Sequence, residues 1–158
     1  MLFSGALLNA DSHLEGLGGW LILVGLGLVI SPAVILGTTI AGNVTLFTHS
    51  SFRAFLEAHP VLEGLIIFEI ITNLIFVVLL GALNFLFFTK KRSFPTYMTL
   101  YLALQLILVL GDALAVHAVV PSVHTPASYS AITRSFLGAA IWIPYLLVSR
   151  RVKLTFVR

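Results

Sequence analysis

Long apolar segments separated by short polar ones dominate the pattern of this chain. A helix needs about 20 apolar residues to cross the hydrocarbon core of a bilayer. Four segments are long enough, at residues 17–47, 61–88, 98–120 and 128–148. The pattern therefore predicts an all-α, polytopic membrane protein that folds as a four-transmembrane-helix bundle.

Short segments flank and connect the four predicted spans. Residues 1–16 contain no Lys or Arg and no long apolar run, both of which a secretory signal needs; they predict a retained N-terminal tail. Residues 48–60 place Phe52 and Leu56 at helical spacing, which predicts a short helix on the membrane surface. Residues 149–158 form a basic C-terminal tail.

The composition agrees with a protein that folds in lipid. Hydrophobic residues make up 59% of the 158 residues and charged residues only 9%, against about 25% charged residues in an ordinary globular domain. These fractions exclude a disordered chain and a soluble domain, whose surface needs more charge. The absence of cysteine excludes disulfides, thiol catalysis and thiolate metal sites.

The basic residues mark one side of the predicted bundle. Seven of the nine Lys and Arg residues fall in the 89–97 loop and the C-terminal tail. Four helices place this loop and both termini on the same side. Because cytoplasmic loops carry an excess of basic residues, both termini are predicted to be cytoplasmic. The basic runs are expected to contact the lipid bilayer, and no soluble domain remains to bind nucleic acid.

Two local sequences resemble a known family. One is Leu-Gly-Gly-Trp-Leu-Ile-Leu-Val at 17–24, followed by Ser31 and Pro32. The other is the ending at 141–158, which opens with Ile-Trp-Ile-Pro-Tyr. Together they resemble the bacterial membrane family catalogued as domain of unknown function 2569. The resemblance implies a multi-pass protein of the bacterial inner membrane with four helices, and it carries over no catalytic residue.

Three charged residues lie inside the predicted spans: Glu69, Asp112 and Arg134. A charge near the bilayer centre costs at least about 2.5–3.5 kcal/mol on insertion scales and usually faces the bundle interior or a wet cavity. At 1.5 Å per residue, all three lie roughly 9–12 Å below the outer ends of their helices. We therefore expect one charge cluster in the outer half, with Arg134 between the two carboxylates.

Each predicted helix also carries one polar stripe when residues are spaced 100° apart. Asn73 shares the face of Glu69, and Gln105 shares the face of Asp112, so these two amides would continue the cluster towards the midplane. An arrangement that keeps polar side chains away from lipid turns all four stripes towards the interior of the bundle. Their members are Ser31, Thr38 and Thr45; Glu69, Thr72, Asn73 and Asn84; Tyr101, Gln105 and Asp112; and Arg134, Gly138, Ile141 and Tyr145.

Four further residues are candidates for gating or packing. Pro32 and Pro144 lie inside predicted spans, where proline removes a backbone hydrogen bond and bends or ends a helix. Trp142 and Tyr145 surround Pro144 in the most specific local sequence of the family resemblance.

Small residues recur on one face of the first helix, at Ala33, Gly37 and Ala41. Such a stripe allows another helix to approach closely. Packing within the monomer is the preferred interpretation, and a homodimer seam is the alternative.

The pattern leaves two classes of function open. The first is an outward-facing polar pocket that binds or transports a small polar solute, an ion or a proton; four helices are few for a complete carrier, so a homodimer would be expected. The alternative is a non-catalytic interaction or assembly subunit, with an unknown membrane-protein partner, whose buried charges only lock the bundle. Arg134 could instead extend to the membrane surface.

Catalysis and metal binding have little support in the sequence. No nucleophile–base arrangement and no cofactor motif is present, so neither an enzyme nor a cofactor is expected. The histidines of the outer half lack a helical metal-binding spacing, so no metal site is predicted; they are His49, His59, His117 and His124.

Overall fold

The computed structural model describes residues 16–119 and 126–157 and, within these ranges, all side chains except those of residues 45–47, 53 and 126–128. All the regular structure in these ranges is helical. The helices are α1 (Trp20–Thr48), α2 (Ser50–Ala58), α3 (Pro60–Phe88), α4 (Phe94–Val119), α5 (Pro126–Val148) and α6 (Arg150–Thr155). Four of them, α1, α3, α4 and α5, are long and apolar enough to cross a membrane. The predicted all-α four-helix architecture is confirmed.

The long helices coincide with the four apolar segments of the sequence, and α2 lies where a short helix was predicted. Both α1 and α5 continue through their internal prolines, Pro32 and Pro144. Neither proline ends its helix. Each proline removes one backbone hydrogen bond, but ending the helix within lipid would leave several backbone groups without a partner. The predicted N-terminal tail lies outside the described residues, except for Gly16.

The long helices pack side by side in the order α1–α3–α4–α5. Their best-packed region lies near one end, which we call the basic end because it carries Lys90, Lys91 and Arg92 and the short helix α6. Two inner rings of this region, Phe87 and Phe94, pack edge to face with centroids 5.2 Å apart. Other core residues here are Leu21, Val24, Leu28, Leu80, Leu83, Met98 and Leu146.

The basic C-terminal segment is folded as well as charged. The side chains of Val152 and Phe156 are buried, and Phe156 stacks on Phe94 with ring centroids 4.6 Å apart. The Thr155 hydroxyl accepts a hydrogen bond from the Gly16 amide at 3.3 Å and donates one to the Gly16 carbonyl at 3.1 Å. These contacts tie the two ends of the described chain together across the basic end.

Much of the long helices' surface is apolar and exposed. Val78, Ile107 and Leu114 are among many large hydrophobic side chains that project away from the bundle. Such a surface suits lipid and would be unfavourable in water. Together with the four spanning helices, it indicates a membrane protein.

At two positions, Ala33 and Gly37, the small-residue stripe of α1 is not packed within the described part of the chain as the sequence suggested. Ala33 and Gly37 are exposed. A Cβ atom built at Gly37 would meet no described neighbour within 4 Å, because α3 packs on a different face of α1. A homodimer through this stripe stays a prediction.

Candidate ligand cavity

A cavity of about 380 Å³ lies between α1, α4 and α5. These helices form its walls because α1 and α5 are not packing neighbours in the order α1–α3–α4–α5, so a space remains between them in front of α4. Most of the lining is apolar. The polar side chains in the lining are Ser31, Tyr101, Gln105, Arg134 and Ser135.

Arg134 is the one charged residue among the described residues that line this cavity. Helical spacing on α5 brings Arg134, Gly138 and Trp142 to the same wall, since residues four apart lie nearly above one another. Arg134 is exposed and Gly138 is half-buried. A Cβ atom at Gly138 would meet nothing within 4 Å, so this glycine leaves open space one helical turn from Arg134.

The back wall comes from α4, where Tyr101 and Gln105 are one helical turn apart. Tyr101 is buried and packs edge to face on Phe76, with ring centroids 5.3 Å apart. Gln105 is half-buried, and its amide can both donate and accept hydrogen bonds. Ser31 of α1 and Ser135 of α5 add hydroxyl groups from the two facing walls.

Aromatic rings bound the cavity towards the basic end. The Trp142 ring lies edge to face with Trp20, at a centroid distance of 6.5 Å, and with Tyr145, at 5.9 Å. Tyr145 is partly buried against the core. These contacts bring α1 and α5 together at this end, below the gap that separates them beside Arg134. Trp142 and Tyr145 are therefore packing residues, and Trp142 also lines the cavity.

The two carboxylates do not line this cavity. Glu69 on α3 and Asp112 on α4 are close enough to interact electrostatically, and the Asn73 side chain approaches Glu69. The Asn73 amide also donates a hydrogen bond to the Thr39 hydroxyl of α1 at 3.1 Å. None of these four residues lines the cavity between α1, α4 and α5.

The predicted cluster is thus divided into two groups. Gln105 and Arg134 line the cavity. The Asn73 side chain links Glu69 to Thr39 of α1, and Asp112 lies within electrostatic range of Glu69. Within the described ranges, Arg134 forms no ion pair with either carboxylate. For Glu69 the reason is lateral, since α3 and α5 lie on different sides of α4 and neighbouring helix axes are about 8–10 Å apart. Asp112 is on α4 itself, which packs against α5, but it does not line the cavity that Arg134 lines. Depth counted from the sequence does not include this lateral arrangement.

Sequence reasoning missed Thr39, which bonds Asn73 of α3, and Asn43, one helical turn further along α1. The Asn43 amide donates to the Thr39 carbonyl at 2.8 Å. The predicted stripe had Thr38 instead, but Thr38 is exposed and its hydroxyl bonds the carbonyl of Val34 in its own helix at 2.9 Å. The four-residue spacing of Thr39 and Asn43 places both on one face of α1, and this spacing could have identified them from the sequence.

A second cavity, of about 320 Å³, lies between α3 and α4. Its lining consists of apolar residues and the two tyrosines Tyr97 and Tyr101. Since no charged side chain among the described residues reaches it, this space offers little to orient a ligand and is a weaker candidate than the cavity at Arg134.

Comparison with known proteins identifies a family whose function is unknown. The family model described as "Protein of unknown function (DUF2569)" matches residues 14–157. This match covers nearly the whole chain and confirms the resemblance seen at its two ends. No curated protein and no solved structure matches the chain. The roles of individual residues must therefore come from the geometry of the cavity.

Proposed function

Because the chain belongs to the DUF2569 family of proteins of unknown function, we propose a function from its cavity: it is a membrane protein that binds a small, largely apolar ligand between α1, α4 and α5. One observation carries this proposal. A mostly apolar cavity has a single charged residue, Arg134, among the described residues of its lining.

The dimensions and lining of the cavity support ligand binding. Small-molecule sites in proteins usually measure about 300–1,000 Å³ and combine an apolar wall with a few polar groups that orient the ligand. The cavity at Arg134 has about 380 Å³ and five polar side chains in its lining. This lining favours a ligand with a large apolar part over the small polar solute that the sequence suggested.

The position of the cavity supports access from the lipid. It lies between α1 and α5, which are not packing neighbours. A membrane-dissolved ligand could pass between them without crossing the well-packed basic end. Four helices then suffice for binding, and transport through the protein is not required.

The charge distribution supports an orientation in the cytoplasmic membrane. Lys90, Lys91, Arg92, Arg150, Arg151 and Lys153 gather at the basic end, and basic residues favour the cytoplasmic side. We therefore propose that the basic end faces the cytoplasm of a bacterial cell and that α2 lies at the outer surface.

The interaction-subunit alternative stays a prediction, and the surroundings of Arg134 favour the ligand cavity over it. It required buried charges that lock the bundle by pairing. Among the residues that the structure describes, Arg134 makes no ion pair with Glu69 or Asp112, so no such lock holds α5 to its neighbours.

Filling the cavity tests the proposed function. The chain has two tryptophans, so Trp20→Phe leaves Trp142, which lines the cavity, as the single fluorescent reporter. In nanodiscs of phosphatidylcholine, we expect saturable quenching of Trp142 by bromine-labelled decanoate or decanol. Gly138→Leu should abolish this saturable component, because the leucine side chain occupies the open space in the cavity.

Gly81→Leu is the matched control. Gly81 is also helical with nothing within 4 Å of a built Cβ atom, but it lies on α3 outside the cavity lining. This variant should retain saturable quenching. Quenching that rises linearly with both probes, and equally in all three proteins, would show only partitioning into lipid and would refute the proposed function.

A further inference from the structure

We propose that the ligand is an anionic amphiphile whose carboxylate or phosphate group binds Arg134 while its alkyl chain extends through the cavity towards Trp142. This inference rests on the proposed function of the cavity and specifies the chemical class of its ligand. It follows from the charge, the hydrogen-bond donors and the shape of the lining.

Arg134 lies within a candidate membrane span, Tyr129–Val148, where an uncompensated charge is costly. A guanidinium stays protonated in proteins, and a charge inside a membrane usually pairs with an opposite charge. The described lining contains no carboxylate, since neither Glu69 nor Asp112 is part of it. An anion that enters the cavity would supply the missing partner without repulsion from an acidic side chain in the described lining.

The groups around Arg134 suit an oxyanion. The planar guanidinium binds carboxylate and phosphate through two parallel hydrogen bonds. Ser31, Gln105 and Ser135 come from three different helices and line the same cavity. Their hydroxyl and amide groups can donate to the oxygen lone pairs that Arg134 leaves free.

The remaining lining suits an alkyl chain. From Arg134 to Leu146, the α5 wall extends about 18 Å at 1.5 Å per residue. Beyond the polar groups it is lined by apolar side chains, including Leu28, Leu102 and Trp142. A charged group at one end of an elongated apolar space is complementary to a single-chain amphiphile.

The decisive experiment varies the head group on a constant chain. Decanoate, decyl phosphate, decanol and decyltrimethylammonium compete with bromine-labelled decanoate for quenching of Trp142 in the Trp20→Phe protein, at a pH at which decanoate is ionised. We expect the two anions to displace the probe at concentrations at least about tenfold below those of decanol and the ammonium compound. The stronger of the two anions would distinguish a fatty acid from a phosphate-bearing lipid as the source of the head group.

The second part of the experiment replaces Arg134. Arg134→Gln should weaken binding of bromine-labelled decanoate about tenfold or more and leave bromine-labelled decanol unchanged. Arg134→Lys should recover part of the affinity, since lysine keeps the charge without the bidentate geometry. Lys91→Gln removes an exposed charge at the basic end, outside the cavity lining, and should leave both probes unaffected.

The outcomes separate this inference from the proposed function. Decanol and decanoate could bind equally well, with binding abolished by Gly138→Leu but not by Arg134→Gln. This result would overturn the proposal of an anionic ligand and leave the cavity as a binding site. Tightest binding of the ammonium compound would also overturn it. Absence of saturable quenching by every probe would refute both proposals. The head-group series needs no substitution at Arg134, so it decides the question even if Arg134→Gln does not fold.

Discussion

At the scale of single residues, asparagine amides hold α1 against α3. The Asn84 amide of α3 donates to the Leu28 carbonyl of α1 at 2.8 Å and to the Leu80 carbonyl of its own helix at 2.8 Å. Asn73 makes the second such link, to Thr39. Because the hydrocarbon core offers no water to either partner, these bonds are retained in a bilayer.

Loss of the Asn84 link is expected to destabilise the bundle. Asn84→Leu keeps an apolar side chain of similar size and removes both donations, so the free energy of unfolding should fall by about 0.5–2 kcal/mol. Thermal unfolding in detergent measures the change. Thr38→Val is the control, since Thr38 bonds only its own helix, and its effect should stay within about 0.5 kcal/mol. Equal stability of the two variants would show that the inter-helix bond contributes nothing.

At the scale of elements, the close approach of α1 and α3 depends on one glycine. A Cβ atom at Gly25 would lie 2.9 Å from the Phe87 ring, and Phe87 is held in the core between Phe94 and Phe156. Two residues further along α1, Gly27 has open space around it. The two glycines therefore look equivalent in the sequence and differ in their neighbours.

Alanine at these two positions should have opposite effects. Gly25→Ala forces Phe87 or the whole of α1 to move, and overpacking of this kind costs about 1–3 kcal/mol. Gly27→Ala adds a methyl group to open space and should be neutral or stabilising by up to about 1 kcal/mol. Denaturant titration of the two variants in the same detergent compares them directly. A Gly25→Ala protein as stable as the Gly27→Ala protein would contradict the packing described for α1 and α3.

The short helix α6 shows why one element escaped prediction. Its sequence is short and basic, so hydropathy indicates only a tail. Val152 and Phe156 are nevertheless buried against residues more than fifty positions away in the chain, such as Phe87 and Phe94. A local pattern cannot predict contacts of this kind, because they depend on where other helices end.

At the scale of the whole molecule, topology follows from where the charges lie. Six described basic residues, those of 90–92 and of α6, gather at the basic end, and α2 with its exposed Ser51 lies at the other. Since the chain has no cysteine, single cysteines can report the side of the membrane without a background signal.

Two cysteine variants test the proposed orientation. An impermeant maleimide should label Ser51→Cys on intact cells and Ser93→Cys only after the membrane is opened, because both serines are exposed and lie at opposite ends of α3 and its flanking loops. The permeabilised sample controls for intrinsic reactivity. Labelling of Ser93→Cys on intact cells would reverse the orientation that the basic residues predict.

The sequence by itself determined the class of the molecule and its four long helices. Lipid requires each spanning backbone to satisfy its hydrogen bonds internally, so an apolar segment of sufficient length can be assigned to a helix without knowledge of its neighbours. The same logic identified Glu69, Asp112 and Arg134 as unusual, since a charge within such a segment is expensive wherever the helices pack.

Only the tertiary structure decided which of these residues meet. Helix neighbours in a membrane are selected by shape complementarity and a few polar links between side chains that are distant in sequence. The order α1–α3–α4–α5 brought Glu69 to Asp112 and left Arg134 with Gln105 in a separate, mostly apolar cavity. Helical periodicity gives the face and depth of a residue, but the lateral arrangement of helices determines what it faces.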